Sequence, residues 1–122
     1  MGTNEVRVVV VDDVSDAADA LASALESDGY TVMTATDGER ALALVDEFQP
    51  HCVLLDINMP GMSGHEMASR LRTLHGPELV LIAVTGWGKA DDRVSKTFVD
   101  FDYYLRKPFD PAALRKVLRP LT

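Results

Sequence analysis

Short apolar, β-branched runs alternate with segments of helical periodicity along this 122-residue chain. Each run predicts a buried strand, and each intervening segment predicts an amphipathic helix. Parallel neighbours need a crossover connection, and crossover helices cover both faces of a sheet. The alternation therefore predicts an α/β fold with a five-stranded parallel sheet between helices. The five runs are Val6–Val11, Tyr30–Ala35, Cys52–Leu55, Leu79–Val84 and Tyr103–Leu105.

The composition of each run indicates its place in the sheet. The first, third and fourth runs are continuously apolar, as central strands are, whereas the second alternates and the fifth is short, as is typical of edge strands. This favours the flavodoxin-like (βα)5 order 2-1-3-4-5, in which a ligand site forms at the carboxyl ends of the first and third strands. No repeat, low-complexity tract or linker interrupts the sequence, so residues 1–122 are predicted to form a single domain.

Helix boundaries are marked by residues that cap free backbone groups. A further helix is predicted within Ala90–Val99, where only Val94 and Phe98 are clear core positions. The capping residues are Gly29 at the end of the first helix, Asp37 before the second, Ser63 and Glu66 before the third, and the pair Asp110–Pro111 before the last.

Charge and cysteine content exclude several classes of function. The formal net charge of -7 leaves no clustered Lys and Arg for non-specific nucleic-acid binding, so direct contact with nucleic acid is not expected. The single cysteine, Cys52, cannot form an internal disulfide, which favours a reducing, cytoplasmic setting. No stretch approaches the roughly 18 apolar residues of a membrane span, so no membrane partner is expected.

Polar side chains follow the ends of the central strands. Asp12 and Asp13 follow the first strand, Asp56 the third, Thr85 the fourth and Lys107 the fifth. Each has an ordinary structural explanation by itself, as a turn, cap or surface residue. Together they are expected to meet at one edge of a parallel sheet, where three carboxylates repel one another unless a cation or their own protonation compensates.

A hard divalent cation is the expected compensator. Mg2+ takes oxygen ligands, commonly from one or two carboxylates plus water and phosphate oxygens, and Mn2+ is an expected substitute. The three histidines, His51, His65 and His75, are scattered, and we interpret them as surface positions rather than zinc ligands. With Mg2+ present, a carboxylate can act as nucleophile toward phosphorus.

Four motifs in order resemble the receiver domains of bacterial two-component response regulators, over essentially the whole chain. The resemblance implies a phosphorelay domain that accepts a phosphoryl group from a histidine kinase or a histidine phosphotransfer protein. The motifs are VVVVDD (Val8–Asp13), VLLDINMPGMSG (Val53–Gly64), VTG (Val84–Gly86) and YLRKPF (Tyr104–Phe109).

The resemblance also implies a role for each matching residue. Asp56 is the expected phosphoacceptor. The expected Mg2+ ligands are the carboxylates of Asp12, Asp13 and Asp56 together with the backbone carbonyl of Asn58.

Three further residues are expected to take part in switching. Thr85 and Lys107 are expected to contact the phosphoryl group, and Tyr104 is expected to turn inward on activation. The output surface is expected around the helix within Ala90–Val99 and the fifth strand. The domain is expected to promote its own phosphotransfer and dephosphorylation rather than to act as an enzyme on other substrates.

The segments TGWGKADDR (Thr85–Arg93) and FDYYLRKPFDPAAL resemble receivers attached to hybrid sensor kinases. Three other functions remain as alternatives. An interaction module on the same fold would not need the full set of acids, threonine and lysine. A phosphatase with an aspartate nucleophile needs an acid at the position of Asn58, and a flavin carrier needs a Ser, Thr and Gly-rich phosphate loop where this chain has DDVSD.

Overall fold

The computed structural model describes residues 6–57, 64–85, 101–106 and 111–118. The helix predicted within Ala90–Val99 and the caps at Ser63 and Asp110 lie outside these ranges. From residue 7 to residue 85 the described elements alternate between strand and helix as predicted, and a fifth strand and a last helix are described after residue 101. They are β1 (Arg7–Val11), α1 (Ser15–Ser27), β2 (Thr31–Ala35), α2 (Gly38–Phe48), β3 (Cys52–Asp56), α3 (Gly64–His75), β4 (Val80–Thr85), β5 (Tyr103–Arg106) and α4 (Pro111–Leu118).

The five strands form one parallel sheet in the order β2-β1-β3-β4-β5. This confirms the predicted α/β fold with its flavodoxin-like order. The register pairs Val11 of β1 with Leu55 of β3, and Asp56 with Val84 of β4. Because the strands are parallel and in register, the residues that follow β1 and β3 leave the sheet at the same edge.

Helices cover both faces of the sheet, and alternate strand residues contribute to two separate cores. On one face, Val8, Val10 and Leu54 pack with side chains of α1 and α4. On the other, Val9 and Val53 pack with side chains of α2 and α3. Each fully buried aliphatic side chain contributes up to about 1.5–3 kcal/mol. The double-sided burial explains why the central runs are apolar at every position.

Two of the predicted capping residues act as expected. The side chain of Asp37 accepts a hydrogen bond of 2.8 Å from the backbone N–H of Arg40, in the first turn of α2. Gly29 follows the end of α1 with φ of +98°, a left-handed conformation that glycine adopts without a Cβ clash. These local signals fix where the helices begin and end around the sheet.

Among the residues that the structure describes, no helix is both long and apolar enough to cross a membrane.

Candidate functional site

Asp12 and Asp13 lie directly after β1, at the carboxyl edge of the sheet. The backbone N–H of Asp12 donates to the carbonyl of Ala35 (3.1 Å), which continues the pairing of β1 with β2. Its Oδ1 accepts a hydrogen bond of 3.0 Å from the backbone N–H of Val14, immediately before α1. Asp12 is 6% exposed, whereas Asp13 faces solvent. The turn from strand to helix therefore holds one carboxylate inside the molecule and leaves its neighbour at the surface.

Asp56 is the last residue of β3 and is 7% exposed. Its strand is paired on both sides, and the next backbone N–H, that of Ile57, donates to the carbonyl of Val84 (3.2 Å). The backbone at Asp56 is thus fixed by β4, while β1 pairs with the strand as far as Leu55. Asp12 and Asp56 are the only buried charged residues within the described ranges, and both stand at this edge.

The carboxylates of Asp12, Asp13 and Asp56 lie together, as the strand pattern predicts. One oxygen from each residue lies within 4.8 Å of one oxygen from each of the other two. Three like charges at this separation repel one another, and the repulsion is stronger because two of them are buried. An all-oxygen donor set of this size fits Mg2+, which binds carboxylates together with water and phosphate oxygens. The site can hold a divalent cation and present a carboxylate beside it.

A groove with a volume of about 410 Å³ opens between α1 and α4 and reaches Asp12 and Asp56. Its walls are mainly apolar and include Ala20 and Leu21 of α1 and Leu114 of α4. Asp12 and Asp56 are therefore among the residues that line this groove.

The remaining predicted site residues fall at the margin of the described part. Thr85 ends β4 and pairs with Arg106, and Tyr104 lies in β5 opposite Ala83. The side chains of Thr85 and Tyr104, and the whole of Asn58 and Lys107, lie outside the described residues. The predicted roles of these four residues in phosphoryl contact, switching and metal binding stay predictions.

A polar cluster at the opposite, amino edge of the sheet was not foreseen from the sequence. Asp102 precedes β5, and its Oδ2 accepts hydrogen bonds from the backbone N–H of Leu81 (2.9 Å) and from Nη2 of Arg72 (3.0 Å). Nη1 of Arg72 also donates to the carbonyls of Gly76 (3.1 Å) and Leu79 (2.7 Å). This cluster joins the end of α3 to the starts of β4 and β5. The sequence feature that could have indicated this cluster is an aspartate, Asp102, directly before a short predicted strand.

The fold and the acidic cluster define a class of protein, a parallel α/β domain with a carboxylate cluster that can hold a metal ion at the carboxyl edge of its sheet. Residues 8–119 match the family model of the response regulator receiver domain. The chain therefore belongs to the receiver domains of two-component response regulators.

Individual relatives agree with this assignment. The chain is 34% identical over 116 residues to an uncharacterised 14.6 kDa protein of Leptolyngbya boryana, covering 94% of this chain and 88% of that protein. It is 37% identical over 113 residues to the transcriptional regulatory protein PrrA of Mycobacterium tuberculosis. That match covers 93% of this chain but 48% of PrrA, so the chain spans about half the length of this regulator.

Solved structures give the same picture. The crystal structure of the response regulator TrrA from Thermotoga maritima, in complex with Mg(2+)-BeF, superposes with a TM-score of 0.83 at 30% identity. The match covers 96% of this chain and 99% of TrrA. A receiver domain is a signalling domain, and receiver domains are phosphorylated by histidine kinases or phosphotransfer proteins. The acidic cluster of this chain fits the binding of Mg2+, the ion present in the TrrA complex.

Proposed function

We propose that Asp56 is the residue that accepts the phosphoryl group, with Asp12 and Asp13 as its metal-binding partners. The observation that carries this proposal is the meeting of the three carboxylates at the carboxyl edge of the sheet. Asp56 is supported as the nucleophile because its backbone ends a fully buried strand and pairs with Val84 of β4. A fixed nucleophile favours phosphoryl transfer, which depends mainly on positioning and charge neutralisation.

In the proposed reaction, an oxygen of Asp56 attacks phosphorus as the phosphorus–nitrogen bond of a phosphohistidine breaks. The electron pair of that bond stays on the imidazole nitrogen of the donor. Mg2+, when bound by this cluster, supplies positive charge that offsets the negative oxygens of the phosphoryl group. Asp12 and Asp13 would hold that cation, and Asn58 would add a backbone carbonyl. Mn2+ is proposed as a substitute because it binds the same oxygen ligands.

The proposal extends to the switch and to the fate of the phosphoryl group. The added group brings about -1.5 to -2 charges, which Lys107 and Thr85 would contact through charge-assisted hydrogen bonds. Those contacts would bias Tyr104 and the surface around β5 toward a second arrangement. We further propose that the chain, acting as one receiver domain over residues 1–122 in the cytoplasm, promotes its own dephosphorylation. The resemblance to hybrid-kinase receivers stays a prediction. The relative PrrA, by contrast, is named as a transcriptional regulatory protein.

The test is phosphate incorporation from labelled acetyl phosphate in the presence of Mg2+. Wild type is expected to incorporate one phosphoryl group per chain, and Asp56→Asn none. Asp46→Asn is the matched control, because Asp46 is an exposed carboxylate on α2, outside the acidic cluster. Undiminished incorporation by Asp56→Asn would show that another residue is the phosphoacceptor.

A further inference from the structure

His51 supplies a side-chain acceptor at the start of β3, on the edge of the sheet opposite the acidic cluster. The backbone N–H of Arg7 donates to Nδ1 of His51 (3.0 Å), and the backbone N–H of His51 donates to the carbonyl of Arg7 (2.8 Å). In a parallel pair, the N–H and the carbonyl of one residue both point to the same neighbouring strand. The imidazole of His51 therefore takes the place of a backbone carbonyl.

The backbone carbonyls before β3 are already used by the side chain of Arg7. Gln49 ends α2 in a left-handed conformation with φ of 54°. Its carbonyl accepts from Nε (3.0 Å) and Nη2 (2.7 Å) of Arg7, and the carbonyl of Phe48 accepts from Nε (3.1 Å). His51 also accepts, through its own carbonyl, a hydrogen bond from the N–H of Val80 (3.1 Å). One residue thus ties the amino ends of β1, β3 and β4 together.

This arrangement requires the neutral form of His51. A neutral imidazole has one nitrogen with a lone pair, and here that nitrogen is Nδ1, whereas both nitrogens of the charged form carry a proton. Protonation would therefore place an N–H of the imidazole against the N–H of Arg7. We propose that His51 is an acid-sensitive latch, which holds the amino ends of β1 and β3 together while it is neutral and releases them when it takes a second proton.

Charged and titratable groups also lie around His51. His51, His75 and Glu78 line a cavity of about 240 Å³, to which α2 contributes no charged side chain. The guanidinium of Arg7, on β1, disfavours a second positive charge, whereas the carboxylate of Glu78 favours one. Glu78 is exposed, so solvent and salt weaken its effect.

The test compares the pH dependence of unfolding in wild type and His51→Asn. The Oδ1 atom of asparagine and the Nδ1 atom of histidine are separated from Cβ by the same number of bonds. Oδ1 can therefore accept the hydrogen bond from the backbone N–H of Arg7, and the amide does not titrate. Urea unfolding is measured between about pH 8 and pH 5, the interval in which histidine changes charge. On acidification, the unfolding equilibrium constant of wild type is expected to rise about fivefold more than that of His51→Asn, the equivalent of one lost hydrogen bond.

His75→Gln is the matched control, because His75 lines the same cavity but the acceptor for the backbone N–H of Arg7 belongs to His51. It is expected to follow wild type. Equal pH dependence in wild type and His51→Asn would overturn the proposal, as would a dependence removed only by His75→Gln.

A second measurement uses the wild-type protein, so its result does not depend on whether the variants fold. The protection of the Arg7 amide against hydrogen exchange is expected to fall about fivefold over the same pH interval, relative to the amide of Val9 in the middle of β1. A constant ratio of the two protection factors would contradict the latch.

Discussion

Replacement of Asp102 by alanine is expected to destabilise the domain through a backbone group rather than through the loss of a surface ion pair. Leu81 is fully buried, and its N–H donates to Oδ2 of Asp102. In Asp102→Ala this N–H loses its acceptor, which costs about 1–3 kcal/mol for a buried donor. Asp102 also forms an ion pair with Arg72, and the side chains of Arg72 and Asp102 are 20% and 40% exposed. Because solvent screens this pair, it adds at most about 1 kcal/mol to the free energy of unfolding. The expected loss in the free energy of unfolding is about 2 kcal/mol.

Asp102→Asn separates the two contributions. Asparagine keeps an oxygen that can accept from the N–H of Leu81 but removes the negative charge, so the expected loss is below about 1 kcal/mol. Both variants are measured by urea unfolding at neutral pH, with far-ultraviolet circular dichroism as the signal and an unchanged denaturant slope as the check on two-state behaviour. Arg70→Ala is the control, because it breaks the ion pair of Arg70 with Glu66, whose side chains are 52% and 51% exposed, and leaves Glu66 in place. It is expected to cost less than about 0.5 kcal/mol.

Equal losses in Asp102→Ala and Asp102→Asn would refute this reasoning. That outcome would mean that the charge, and not the acceptor for the Leu81 amide, stabilises the starts of β4 and β5. A loss in Arg70→Ala as large as that in Asp102→Ala would also refute it.

Two further predictions concern the acidic cluster and the core. Asp12→Asn is expected to weaken Mg2+ binding by at least about tenfold in calorimetry, because it removes one charge beside the cation, whereas Asp46→Asn keeps wild-type affinity. Unchanged Mg2+ affinity in Asp12→Asn would show that Asp12 is not a metal ligand. Burial, with a smaller contribution from the negative charge of Asp102, raises the pKa of the Cys52 thiol, so little thiolate forms at pH 8. An aromatic disulfide reagent is therefore expected to label Cys52 only after urea unfolding, and rapid labelling of the native protein would contradict this.

Much of the fold could be predicted because local and global signals agree. Continuous apolar runs identify the central strands, and the strand boundaries differ from the prediction by at most one residue at each end. Cys52–Leu55 extends to Asp56, and Leu79–Val84 becomes Val80–Thr85. The clustering of Asp12, Asp13 and Asp56 could be predicted because parallel strands bring their carboxyl ends to one edge.

What the sequence could not reveal depends on hydrogen bonds between distant residues. His51 was interpreted as a surface position, and that interpretation was wrong, because the residue is half-buried and its ring accepts from Arg7, 44 positions away. Gln49 adopts a left-handed conformation that the sequence does not mark, since glycine is the usual residue at such a helix end. Neither feature has a periodic or local signal, so both require the packed sheet to be seen.

The complete burial of β3 affects how the consequences of mutation should be interpreted. Cys52, Val53, Leu54 and Leu55 are at most 1% exposed, and close-packed neighbours leave them little freedom to change size. A survey of random substitutions would therefore find every position of this strand intolerant, including Asp56. Loss of signalling after a change in β3 cannot by itself distinguish a chemical role from a packing role. Only a substitution that preserves the folded population, such as Asp56→Asn with its unfolding curve measured alongside, assigns the loss to chemistry.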